Sequence, residues 1–221
     1  AIAASIKNGT QWVGHSDFTA LQMALLAKTG ASTWAGPHGC ADFGRADMDD
    51  ITLACFEDMT QGRGEGAGWK LPSQDLEQLP KKALLAENAT LWGGNLSVLC
   101  SLVGTPYFPS IQGGVLFLED VAEHPYRIER MLSQLLHSGV LAQQKAIVLG
   151  QFTQYKLTPH DKGFKLDSVV SWLRSQLRIP VLTDLPFGHV STKVCLPVGA
   201  TTHLLVEDRD ALLLWAHAHG L

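Results

Sequence analysis

Ser16 stands in "WVGHSDFTAL", where a short apolar run gives way to a helical pattern. A serine on a sharp strand-to-helix turn exposes its hydroxyl and points the next backbone N–H at an oxyanion forming there, which is the logic of the G-x-S-x-G elbow. Gly14 stands in the first glycine position, but Phe18 occupies the second. The competing role is plain: Ser16 or Asp17 caps the helix that follows, and spacing alone favours that cap. A nucleophilic serine also needs a base and a group to orient the base. Of the nine histidines, His189 is best placed: "LPFGHVSTK" sets it after Gly188, where an extended apolar segment leaves the core. Glu119 ends the buried-strand pattern "VLFLED". A buried acid there needs a partner, and a histidine suits; a solvated strand end is the other role.

The remaining candidates are weaker. His217 and His219 are two apart, on different faces of a helix, and make a poor metal pair. His124, His137 and His160 sit among polar residues, and His38 lies in the turn "GPHG". "GRGEGA" matches a dinucleotide fingerprint in letters only, since a helix precedes it and Pro72 follows. In "WGGN", Gly93 and Gly94 allow close backbone approach and Asn95 both donates and accepts. Trp92, Gly93, Gly94 and Asn95 are therefore expected to line a substrate cleft, against the alternative of a plain turn before a helix. Arg127 and Arg130 in "YRIER" are candidates for a substrate carboxylate, or surface charges on an amphipathic helix. No metal or cofactor is called for.

These residues need elements to hold them. "TQWVG" reads as a strand, "DFTALQMALLAKTG" as a helix closed by Gly30, "ASTWAGP" as a strand and "DMDDITLACFEDMTQG" as a second helix. Strand, helix, strand, helix predicts a βαβ unit over residues 1–61. Residues 62–82, rich in Gly and polar residues, read as a linker. From 83 to 221, "GGVLFLED" and "KAIVLGQF" read as strands, "YRIERMLSQLLHSG" and "LDSVVSWLRSQL" as helices, and "ATTHLLVEDRDALLLWA" as a closing strand pair, making a second β/α domain.

Composition sets the partners. The 221 residues are 46% hydrophobic, with 17 basic against 21 acidic side chains and no basic run, so nucleic acid and anionic membranes are not expected partners. No apolar stretch approaches the roughly 20 residues of a membrane span. Cys40, Cys55, Cys100 and Cys195 are far apart, which disfavours structural zinc and disulfides and fits free thiols in a reducing cytoplasm.

Taken together, "VGHSDFTAL", "LWGGNLSVLCSLVGTPY", "GGVLFLEDVAEHPYRIERML", "IVLGQF" and "LPFGHVSTKVCLPVG" closely resemble the LD-carboxypeptidases, serine peptidases that include the microcin C immunity peptidases. The resemblance implies an α/β fold, with a truncated flavodoxin-like βαβ N-terminal domain and a swivelling β/α C-terminal domain, and a site between them. It implies a Ser–His–Glu triad of Ser16, His189 and Glu119, with the N–H of Asp17 in the oxyanion hole, and it reverses the preference for a cap at Ser16. His15 stands where the family usually has an aromatic residue. The implied activity is release of D-alanine from an L,D-linked murein tetrapeptide in peptidoglycan recycling, by a cytoplasmic homodimer. A microcin-type immunity peptidase cleaving an aminoacyl-nucleotide is the alternative, with Trp69 the candidate to stack on a base. Family members carry further βα segments upstream of the serine, including a Gly-rich turn with a second oxyanion donor. On that ground the chain is expected to be a weak catalyst alone, or a peptide-binding remnant.

Overall fold

The computed structural model describes residues 1–77 and 79–215. In chain order the elements are α1 (Ile2–Lys7), β1 (Val13–Gly14), α2 (Phe18–Thr29), β2 (Thr33–Ala35), α3 (Asp50–Thr60), β3 (Gly66–Lys70), α4 (Ser73–Leu76), β4 (Lys82–Asn95) and α5 (Leu96–Ser101). Then follow β5 (Val115–Val121), α6 (Pro125–His137), β6 (Ala146–Thr153), α7 (Leu166–Gln176), β7 (Val181–Leu182), β8 (Leu196–Val198), β9 (Thr201–Glu207) and β10 (Asp210–Trp215).

Two sheets result. β1 and β2 are parallel, joined by the crossover helix α2, which Gly30 ends in the left-handed region at φ 66°. The second sheet runs β3-β10-β9-β4-β5-β6-β7. Its β4 to β7 half is parallel, while β3, β10, β9 and β4 are antiparallel. In β5 the run from Val115 to Asp120 is buried throughout, as a parallel strand covered on both faces must be. On α6, Ile128, Met131, Leu132 and Leu135 form the buried stripe that helical spacing demands.

Two features differ from the sequence reading. Residues 62–82 are no bare linker: β3 and α4 lie within them, and β3 pairs along its length with β10. The glycines that read as linker alternate with Ala67 and Trp69, which point inward. A Cβ on Gly66 would fall 2.7 Å from the Leu213 carbonyl oxygen, so bare backbone is what close pairing there requires. This order of helix, turn and strand is also the reverse of a dinucleotide fingerprint, and "GRGEGA" supplies none. The second difference is β8. It comes from the segment read as the second domain, yet it pairs antiparallel with β2, Thr33 opposite Val198. The chain after His189 thereby crosses into the sheet that carries Ser16. The predicted helix bearing His217 and His219 lies outside the described residues.

Candidate active site

Ser16 lies between β1 and α2 with φ 58°, an uncommon backbone state for a residue with a Cβ. Gly14 makes the turn possible, because a Cβ there would sit 2.8 Å from the Phe18 ring that fills the second glycine position. The cap reading fails on geometry. Asp17 holds the cap position of α2 without a side-chain cap bond, and the Ser16 hydroxyl is engaged elsewhere. It lies 2.9 Å from Nε2 of His189. The other ring nitrogen of His189, Nδ1, is 2.8 Å from Oε2 of Glu119. Residues separated by 173 and 70 positions are thus joined in one hydrogen-bonded chain.

Each partner is held for a reason. Glu119 is fully buried at the C-terminal end of β5, and a buried carboxylate must be satisfied by donors. One donor is His189 Nδ1–H; the second is the amide of Asn95, 3.2 Å from Oε1. A carboxylate at Nδ1 fixes the tautomer, leaving Nε2 bare to accept the Ser16 proton. Gly188, at φ 140°, brings His189 in: a Cβ there would lie 3.2 Å from Oε2 of Glu119. The hydrogen bond to Glu119 is the main cause that raises the His189 pKa above its ordinary value, against the opposing pull of burial. The N–H of Asp17 has no acceptor among the described residues.

Of the "WGGN" residues, Trp92 borders a pocket with Phe108, Ile111, Val140 and Gln143, none of them part of the Ser16 set, while Gly93, Gly94 and Asn95 are packed inside. Trp92 is buried and its indole donates to Gln144. A Cβ on Gly93 would fall 2.0 Å from the Phe117 carbonyl oxygen, and one on Gly94 2.5 Å from the Thr19 hydroxyl. Asn95 is buried, its amide given to Glu119 and Asp120, and its carbonyl accepting from Val98 N–H. Asn95 thus packs behind the acid, and at Gly93 and Gly94 close packing leaves no room for a Cβ. Arg127 and Arg130 lie exposed on α6, Arg127 within 3.6 Å of Glu123. Trp69 is buried, its indole donating to the Thr183 carbonyl.

Three features escaped the sequence reading. His15 packs edge-on against His189, ring centroids 5.1 Å apart, and stacks on His38 at 3.9 Å. Its Nδ1–H donates to the Gly36 carbonyl. Burial above all pushes its pKa down to about 4, so it serves as a neutral ring where an aromatic would also fit. Lys193, almost fully buried, pairs with Asp42, and Thr192 donates to Asp49; both tie the segment after His189 to the loop and helix following β2. Thr19, three residues after the serine, is the third. Its hydroxyl has no motif to announce it.

The His15 environment makes a testable pH signature. In the unfolded chain the ring binds a proton near 6.5, but in the fold only near 4. The unfolded state therefore gains protons first as pH falls, and stability drops from about pH 6.5 down to about 4. Below that the effect is complete. The parent is expected to lose roughly 3 kcal/mol more between pH 7 and pH 4 than His15→Phe does. Urea unfolding at a series of pH values measures the difference, and equal slopes for both proteins would refute it.

Comparison with known proteins places this arrangement. A family profile described as the LD-carboxypeptidase C-terminal domain matches residues 88–204. The crystal structure of a muramoyltetrapeptide carboxypeptidase from Oxalobacter formigenes has a TM-score of 0.85 at 44% identity, over 98% of this chain and 72% of that one. The probable murein peptide carboxypeptidase of Bacillus subtilis is 32% identical over 200 residues, 90% of this chain and 61% of its own length. The microcin C7 self-immunity protein MccF of Escherichia coli is 28% identical over 234 residues, 94% of this chain and 66% of its own. The mixed α/β fold is that shared by these peptidases and MccF. The chain belongs to the LD-carboxypeptidase family. It spans about three fifths of the length of the curated relatives it matches.

Proposed function

We propose that this chain carries the hydrolytic site of a serine carboxypeptidase that releases the terminal D-alanine from an L,D-linked murein tetrapeptide. The observation that carries the reading is the continuous chain from Ser16 Oγ through His189 to Glu119, at 2.9 and 2.8 Å. His189 Nε2 takes the Ser16 proton as Oγ attacks the carbonyl carbon of the L-configured centre that precedes D-alanine. The N–H of Asp17 donates to the oxyanion. Collapse of the tetrahedral adduct breaks the C–N bond, and the proton on His189 passes to the departing D-alanine nitrogen. Water then attacks the acyl-serine, again giving its proton to His189, and restores Ser16. Glu119, fully buried, holds the ring and stabilises it while it is charged.

The names of the relatives support this substrate class: two are murein or muramoyl peptide carboxypeptidases. The aminoacyl-nucleotide alternative loses its candidate stacking residue, since Trp69 is packed inside with its N–H committed. No helix among the described residues is long and apolar enough to cross a membrane. The test is hydrolysis of a murein tetrapeptide ending in D-alanine beside the same peptide ending in L-alanine. Release of D-alanine with little or no L-alanine is expected. Equal release of both would overturn the L,D assignment, and binding of the peptide without hydrolysis would make the chain a peptide-binding protein.

A further inference from the structure

The hydrogen bonds around Ser16 do not end at Glu119; they return. Ser16 meets His189, His189 meets Glu119, and Glu119 Oε1 accepts from the side-chain amide of Asn95 at 3.2 Å. The backbone N–H of Asn95 donates to the Thr19 hydroxyl at 3.1 Å, and the N–H of Thr19 donates to the carbonyl of Ser16 at 2.8 Å. The circuit runs through the first turn of α2, the ends of β4 and β5, and the loop after Gly188.

We infer that Asn95 and Thr19 are positioning residues for the Ser16–His189–Glu119 set, Asn95 setting the direction of the Glu119 carboxylate and Thr19 the spacing of the serine turn from it. This rests on the proposed function only in supposing that those three side chains act together.

The chemistry of Asn95 fits that task and little else. Its NH2 group has two protons, and they go to two buried carboxylates, Glu119 and, at 2.9 Å, Asp120. An amide can bridge two acids in this way, whereas an aspartate would add a third negative charge and a leucine would leave two acids face to face. Asp120 keeps the backbone N–H groups of Ser97 and Val121 in any case. Without the bridge, Glu119 keeps His189 as its donor, but Oε1 has lost the amide that fixes the direction of the carboxylate. His189 then holds its anion less closely and binds its own proton less tightly. Thr19 is fully buried, with its hydroxyl turned to Asn95. Gly94 is what lets β4 come so near, because any Cβ there would collide with that hydroxyl.

The test follows the ring protons of His189 by NMR across a pH series, in the parent, Asn95→Leu, Thr19→Val and Thr19→Ser, beside tetrapeptide hydrolysis. The charged or titratable groups facing His189 are Glu119, Asp120, His15 and Lys193, and none is altered by these substitutions. In Asn95→Leu the His189 titration is expected to move down by about one pH unit or more, and kcat to fall roughly 10- to 100-fold, the worth of one hydrogen bond to a charged group. KM is expected to change less than kcat, since both side chains are buried behind Glu119 and the serine turn. Thr19→Val should lower kcat by roughly tenfold, and Thr19→Ser, which keeps the acceptor, should restore it. A folded Asn95→Leu protein in which His189 titrates as in the parent overturns the inference. So does a Thr19→Val protein that loses melting temperature but no kcat. If Asn95→Leu does not fold, the Thr19 pair decides alone. If the parent cleaves no tetrapeptide, the NMR titration still decides, and only the substrate reading fails.

Discussion

Replacing Ser16 with alanine is expected to lower kcat on the D-alanine tetrapeptide by roughly 10⁵- to 10⁶-fold while leaving KM within about twofold. The size follows from the role: the hydroxyl makes the bond on which both halves of the reaction depend, and no neighbour replaces it. Folding should be spared. The φ of 58° at this position disfavours serine and alanine alike, so alanine brings no new strain. Among the described residues the hydroxyl is bonded to His189, which is half-buried and has water as a substitute partner. A fluorophosphonate probe gives the same answer without any substrate, labelling the parent on Ser16 and leaving Ser16→Ala unlabelled. Retention of a tenth of the parental kcat, or labelling on another serine, would remove Ser16 from the mechanism.

The residues of this chain were legible where chemistry demands a particular side chain next to a particular backbone. Ser16, Glu119 and His189 each end or follow a strand-like run, and each has a glycine close by that makes room: Gly14, Gly150 or Gly188. Gly150 is the least obvious of these, since its missing Cβ spares the carbonyl oxygen of Phe187, just before Gly188 and His189. What the sequence hid has a common cause. The same glycines that admit a ligand also admit a neighbouring strand, and composition does not distinguish the two. Gly93 and Gly94 were read as cleft-lining and prove to be packing sites against Phe117 and Thr19. Gly66 and Gly68 were read as linker and prove to be strand. The pairing of β8 with β2 was also invisible, because a three-residue strand is specified by its partner more than by its own letters. Thr19 was hidden for a different reason: a threonine in the first turn of a helix looks like any other helical residue until the strand end opposite it is known.

Glu119→Gln is the substitution with the second largest expected effect, and it separates charge from shape. In the parent both carboxylate oxygens accept, Oε2 from His189 and Oε1 from Asn95. Glutamine fills the same volume but offers one acceptor and one NH2 group. If the NH2 faces His189, the ring must turn to its other tautomer, with the proton on Nε2, and can no longer take the proton from Ser16. If it faces Asn95, two donors meet in a buried site, which is costly. Either way kcat is expected to fall by up to about 10⁴-fold, the loss seen when an orienting acid is neutralised in a comparable triad. The residual rate carries a second signature in its pH dependence. The bond to Glu119 raises the proton affinity of His189, so in the parent the neutral base, and with it activity, disappears as pH falls through a value above the ordinary 6.5. Removing the anion lowers that affinity, and the acid limb of kcat/KM should move to lower pH in Glu119→Gln. Stability must follow the opposite sense. A raised histidine pKa stabilises the fold fully below 6.5 and ceases to do so as pH rises through the raised value. The part of the stability gap between parent and variant that comes from His189 is therefore widest in acid and narrows toward alkaline pH. A variant whose acid limb stays where the parent has it would show that Glu119 does not tune His189, even if the rate had fallen.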